Sequence, residues 1–303
     1  MEFGKIHDID QVDFRLPHEP ARNADYWSRR GHAPGPSLRI YIGATGYHMK
    51  PWVGSWYPEG TKPADYLFQY GKQFNTIEHN STHYRLPDAA AVARWREETQ
   101  PDFRFCPKVL QSISHAPDLG ASSTLIESFA DALSGLEEKY GCAFLQLPPS
   151  FSPHQWIRLE RFLLRWPAQL PLAVEVRHPE FFPESPLLFD LLEKHGVAAV
   201  ITDVAGRRDV CHMHVTAPRT LVRFVGNGLH ETDYSRIDEW GARLAAWSAN
   251  GLQEIYFFTH EPDNLLAPEL AAYAAKTFRR HMPHAHLRGP EKRAPDGLQG
   301  RLF

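Results

Sequence analysis

CAFLQLPPSFSPHQWIRLERFLLRWPAQLPLAVEV, residues 142–176, is the stretch that decides the fold. It opens on an apolar run, CAFLQL (142–147), and closes on another, LAVEV (172–176). Each has the length of a buried strand. Between them lies a longer stretch that reads as a helix. Strand, helix, strand at this spacing is a parallel βαβ unit, because parallel neighbours need a long crossover.

The same alternation extends in both directions. Further short apolar runs are LRIYIG (38–43), NTIEH (75–79), FRFCPK (103–108), VAAVIT (197–202), LVRFV (221–225) and EIYFFT (254–259). Several are apolar almost throughout, as expected of a parallel sheet covered by helices. The intervening stretches carry helix signals. Asp88 precedes the stretch containing Trp95, Thr124 and Glu127 have capping-box spacing, and Gly141, Gly196 and Gly251 each precede a strand. Eight strand–helix pairs predict an α/β fold, a single-domain (β/α)8 barrel of TIM type. The rival is an open Rossmann-type sheet. Gly43 and Gly46 follow the first run, but GATG is not GxGxxG.

The ends differ from the middle. Residues 1–37 show no sustained period and end in HAPGPS, so they read as an N-terminal arm that wraps the domain or is partly disordered, and that is not required for barrel closure. Residues 38–282 are the barrel. Residues 283–303 are polar and rich in Pro, Gly and Arg, which predicts a loose tail.

The 303 residues are 43% hydrophobic, enough for one large core, with a formal net charge of −3. That charge disfavours a broad nucleic-acid surface. Three cysteines, Cys106, Cys142 and Cys211, form no CxxC pair and read as reduced thiols. No signal-peptide core and no apolar run of membrane length is found, so a cytoplasmic location is expected.

In a barrel, chemistry sits where the strands end. Here those ends are polar: Tyr47 after the first; Glu78 and Asn80 at the second, then Tyr84 and Arg85; Lys108 at the third, then His115; Gln146 on the fourth; Glu175, Arg177 and His178 at the fifth; Asp203 at the sixth; Arg223 on the seventh; His260 at the eighth. Strand alternation puts Glu175 and Arg177 on one side, and Glu78 and Asn80 on one side. The competing reading is a set of structural ion pairs around the rim. Other features weigh less. His212 and His214 in CHMH lack a third metal ligand. Trp52, Trp56 and Tyr57 either wall a pocket or close the rim. Cys106, beside Phe105, reads as a small buried hydrophobe.

The blocks GATGYHMKPWVGSWYPEG, FNTIEHNSTHYRLPDAAAVARW, FRFCPK, LQLPPSF and AVEVRHPEFF resemble the YecE-like family, domain of unknown function 72, over about Leu38 to Phe278. The resemblance implies a TIM-type barrel and no particular reaction. It places motif polar positions on Gly46, Tyr47, Glu78, Asn80, Thr82, Tyr84, Arg85, Lys108, His115, Gln146, Glu175, Arg177, His178, Asp203 and Arg223. Similar proteins tend to carry His-Gly-Arg after the seventh strand and Phe-Asn-Asn at the end of the eighth. This chain has Val225-Gly226-Asn227 and Phe258-Thr259-His260 instead.

The function expected from these residues is acid/base catalysis, by hydrolysis, isomerisation or elimination, on a small polar or anionic substrate. Glu78 and Glu175 are the acid and base candidates, with Asp203 and Lys108 beside them. Lys108, Arg177 and Arg223 are candidates to hold the anionic part; Tyr47, Asn80, Tyr84, Arg85, His115, Gln146, His178 and His260 complete the binding set. No cofactor is required by the sequence. A magnesium- or manganese-dependent version would use Glu78, Glu175 and Asp203. A non-catalytic ligand- or nucleic-acid-binding barrel is the alternative from another class.

Overall fold

The computed structural model describes residues 3–30, 37–182 and 185–293. Its core is eight parallel strands: β1 (Arg39–Ala44), β2 (Thr76–His79), β3 (Arg104–Pro107), β4 (Ala143–Gln146), β5 (Leu172–Glu175), β6 (Ala198–Asp203), β7 (Arg219–Val225) and β8 (Glu254–His260). Each falls within about a residue or two of an apolar run read from the sequence. The strands pair in the order β3-β2-β1-β8-β7-β6-β5-β4. At the seam between β3 and β4, the parallel bridges Phe105 to Tyr140 and Lys108 to Phe144 close the barrel. Closure excludes the open sheet.

Helices α2 (Tyr66–Gln73), α3 (Ala89–Glu98), α4 (Gln111–Ser114), α5 (Leu125–Ser134), α6 (Trp156–Arg165), α7 (Pro186–Lys194), α8 (Glu231–Ala249) and α9 (Ala267–His281) cover the strands. Asp88 caps α3 by accepting the Ala91 N–H at 2.8 Å. The capping box at Thr124 does not form: Thr124 makes no cap bond, and α5 stops at Ser134, well before Gly141.

The alternation breaks once. No α-helix lies between β6 and β7, only a short turn at Arg208–Val210 and an irregular stretch in which Met213 has φ +56°. Helix α1 (Ala21–Arg30), from the N-terminal arm, takes that place. Its Asn23 is fully buried, donating to the Met213 carbonyl at 2.8 Å and accepting from the Val215 N–H at 3.0 Å. Arg22 and Arg29 pair with Glu193 of α7 at 2.8 and 2.5 Å. Just before α1, Glu19 accepts from Trp247 of α8 at 2.9 Å. The arm therefore wraps the barrel and supplies a helix that the repeat omits. His212 and His214, in this irregular stretch, are buried and packed on Phe189. Burial holds His212 down to about 4, and its Nε2 lies 3.0 Å from the Val200 carbonyl.

The expected loose tail also contributes an element. Strand β9 (His286–Arg288) pairs in parallel with Arg39–Tyr41 of β1. Arg288 donates two bonds to Asp102, at 2.8 and 2.9 Å, as a guanidinium fork does. Residues 294–303 lie outside the described residues.

Inward side chains form an apolar layer that includes Tyr41, Cys106, Phe144, Val200, Leu221, Tyr256 and Phe258. Trp52, Trp56 and Tyr57 are buried in the larger core outside it. Above the apolar layer, toward the C-terminal ends of the strands, the inward positions turn polar.

Candidate active site

Two-residue alternation carries each strand from the apolar layer to the mouth: Phe144 then Gln146 on β4, Leu221 then Arg223 on β7, Phe258 then His260 on β8. Arg223 sits at the centre, about 2% exposed. Its Nε and Nη2 donate to Glu78 at 2.9 and 2.9 Å, and its Nη1 donates to Glu175 at 2.8 Å. Glu175 also accepts from Arg177 at 2.7 Å and from Gln146 at 2.9 Å. Gln146 in turn accepts from Lys108 at 2.8 Å. Glu78 accepts from Asn80 at 3.1 Å, and its Oε2 lies 2.9 Å from His260 Nε2. One hydrogen-bonded network thus joins groups from β2, β4, β5, β7 and β8 with the residue that follows β3.

Its electrostatics follow from burial and pairing. Burial alone would raise the Glu78 and Glu175 carboxyls. Attraction to Arg223 outweighs it, holding Glu78 well below the ordinary range and Glu175 at about 2. Both are carboxylates at neutral pH with every oxygen engaged. Lys108 is pushed down by burial and by Arg223. His260 is pushed down by burial, which outweighs its attraction to Glu78. A neutral His260 facing a carboxylate must donate through Nε2, which leaves the Nδ1 lone pair uncommitted among the described residues. His260 borders a cavity of about 430 Å³ at the barrel mouth.

The network holds two carboxylates, Glu78 and Glu175, against three cations, Arg223, Arg177 and Lys108. One positive charge is left over, on the Lys108 and Arg177 side. His115 stands on that side too: burial lowers it first, then the charges of Lys108 and Arg177. Beyond its Nε bond to Glu175, Arg177 has two terminal amino groups with no hydrogen-bond acceptor among the described residues.

The other candidates are elsewhere. Asp203 is fully buried but faces the helix layer, bonded to Arg208, to Arg236 at 3.0 Å and to Trp240 at 2.8 Å. Tyr84 is 77% exposed. The Arg85 side chain is also exposed, 3.7 Å from Asp88. His178 accepts the Glu180 N–H at 3.3 Å and caps a turn. Tyr47 is half-buried, its ring stacked 6.5 Å from that of His79. The metal set does not fit: Asp203 points away, and the Arg223 guanidinium fills the space between Glu78 and Glu175. Among the described residues no cluster of three metal-ligating side chains is found.

Glu261, which the sequence places next to His260 at the end of the eighth strand but outside the expected binding set, and Phe3, which is no sequence candidate, also border the mouth. Glu261 is 6% exposed, its Oε2 accepts from Gly228 at 2.9 Å, and Oε1 has no partner among the described residues. Burial pushes its carboxyl up to about 7. An acid beside the end of a strand was a signal for Glu261. Nothing local marks Phe3, which reaches Arg177 only through the fold.

The family model described as "Protein of unknown function DUF72" matches residues 41–295. The UPF0759 protein YecE of Escherichia coli K12 is 34% identical over 265 residues, spanning 80% of this chain and 94% of that protein. A DUF72 family protein of Enterococcus faecalis V583 superposes with a TM-score of 0.61 at 18% identity, covering 80% of this chain and 98% of the other. One from Thermotoga maritima MSB8 gives 0.60 at 24% identity, covering 81% and 99%. These two likenesses carry the fold.

Proposed function

The chain belongs to the DUF72 family, and we propose that it is an enzyme moving a proton on a small anionic substrate at the C-terminal mouth of its barrel. The observation that carries this reading is the unbalanced polar layer: three cations against two fully bonded carboxylates, with the Arg177 amino groups unspent. A guanidinium edge and an ammonium close together suit a phosphate or carboxylate.

Within this reading Glu78 and Glu175 are not the proton carriers. Both are held ionised, so neither has a proton to give at neutral pH. They align the cations, and Glu78 also orients His260. His260 Nδ1 is the base, with Glu78 behind the ring as in other carboxylate–histidine pairs. Lys108, Arg177 and His115 hold the anion. Among the described residues no helix is long and apolar enough to cross a membrane.

Titration calorimetry with inorganic phosphate at fixed ionic strength tests the anion part. Wild type binds; Arg177→Ala loses roughly tenfold or more in affinity, the scale of one charge-assisted pair. Equal binding by Arg177→Ala refutes it. Proton transfer is tested by incubating phosphorylated and carboxylated metabolites in heavy water and following loss of C–H signals by NMR. Exchange should vanish in His260→Gln.

A further inference from the structure

The first described residues lie on the mouth. The Phe3 ring is centred 4.2 Å from the guanidinium carbon of Arg177 and 5.1 Å from that of Arg207. Next to it, the Gly4 carbonyl accepts the Gly206 N–H at 2.8 Å, just past the end of β6. Gly4 has φ +69°, and a Cβ there would come 2.8 Å from Val204. A Cβ on Gly206 would come 2.7 Å from Ile6 and 2.8 Å from the Gly4 carbonyl. Two side-chain-free positions therefore let the segment lie flat on the barrel end. From Gly4 to Ile9 it roofs the 430 Å³ cavity that His260 and Glu261 border.

A guanidinium grips oxyanions through its edge and stacks through its face. In Arg177, Phe3 covers the face and Glu175 takes Nε. What remains is the edge carrying the two terminal amino groups. We propose that Phe3 is a positioning residue that turns this edge toward the bound anion, and that residues 3–9 are a strap that closes over the ligand. This rests on the mouth being an anion site. Coupling of this kind is reciprocal: a ligand that binds better under a docked strap holds the strap down by the same factor. Lys5 is exposed within the strap and offers a tryptic site to read that docking.

The test is phosphate calorimetry on the full chain, with wild type, Phe3→Ala, Phe3→Tyr, Gly206→Val and Arg177→Ala side by side. Phe3→Ala and Gly206→Val should each weaken phosphate about three- to tenfold, the range of one stacked cation–aromatic contact, and Phe3→Tyr should restore it. Phosphate, compared with chloride at equal ionic strength, should slow tryptic cleavage after Lys5 in wild type and not in Arg177→Ala. If wild type binds and Phe3→Ala binds equally well, the strap has no part in the site and this inference alone is overturned. Tighter binding by Phe3→Ala overturns it too, by showing the ring standing in the anion's place. If wild type itself ignores phosphate, the anion reading fails and the strap inference falls with it.

Discussion

Arg223→Met leaves Glu78 and Glu175 facing one another in the barrel interior without the cation between them. Removing one partner of a buried ion network costs about 3–5 kcal/mol, most of it the penalty on the charges left behind. Urea denaturation should show a loss of that size at pH 7; a loss under about 1 kcal/mol would mean that water already screens the cluster. The same network predicts acid sensitivity. Glu175 is lowered from 4.5 to about 2, so its contribution is complete above pH 4.5 and drains away as the pH falls toward 2. Glu261 has the opposite sign. Its carboxyl is raised from 4.5 to about 7, so the stability tied to it is complete below 4.5 and is lost as the pH rises through 7. Glu261→Gln should therefore be more stable than wild type at pH 8, by on the order of 2 kcal/mol, and little different at pH 4.5. Equal melting of the two proteins at pH 8 would sink the argument. At this scale the sequence is readable where two-residue alternation applies. It puts Glu78 with Asn80 and Glu175 with Arg177, and the structure joins both pairs. It does not tell inside from outside at a strand's last residue, which is why Asp203 reads as a site residue and turns to the helices. Nor can it say that Glu78 and Glu175 share one arginine, a contact 145 residues long in one case and 48 in the other.

Helix α1 is the element whose removal tells most. From the sequence, residues 1–37 look dispensable; in the fold α1 fills the slot between α7 and α8 that the β6–β7 connection leaves empty. Deleting residues 1–30 uncovers Tyr26's and Trp27's contact surface and strips the Met213 carbonyl and Val215 N–H of Asn23. Asn23→Ala alone should cost about 1–3 kcal/mol, the price of leaving buried backbone groups unpaired. The deletion should cost more, and calorimetry should show a lowered transition or none. An unchanged melting temperature in the deletion would mean that the slot tolerates solvent. Strands are legible because burial on both faces forces continuous apolar runs, and each of the eight is found where its run stands. The missing helix is not, because 204–218 contains no feature that says a distant segment will cover it. Strand β9 escapes for a related reason: three residues, HLR, carry no period of their own and become a strand only against β1.

For the whole molecule, the decisive fact is that β1 is flanked by late sequence. It pairs with β8 along Arg39–Gly43 and with β9 along Arg39–Tyr41, and Thr259 Oγ1 donates to the Gly43 carbonyl at 3.4 Å. A chain ending at residue 253 keeps most of its apolar runs and the pairing of β1 with β2, yet lacks β8 and β9. It should collapse without a cooperative thermal transition, detectable as a sloping melt and strong dye binding by exposed apolar surface. A sharp melt from that fragment would show that the first seven strands are self-sufficient. There is also a consequence for synthesis. Gly43 leaves the ribosome 216 residues before Thr259. At about 5–20 residues per second, β1 waits roughly 10–40 s for its partner. Through that interval β1, with the buried Tyr41 and Ile42 on it, keeps one edge open, and that edge must be shielded by the nascent chain itself or by a holdase. The protein's yield in a cell should thus depend on translation speed over the codons for β8 and β9, the strands that close this edge.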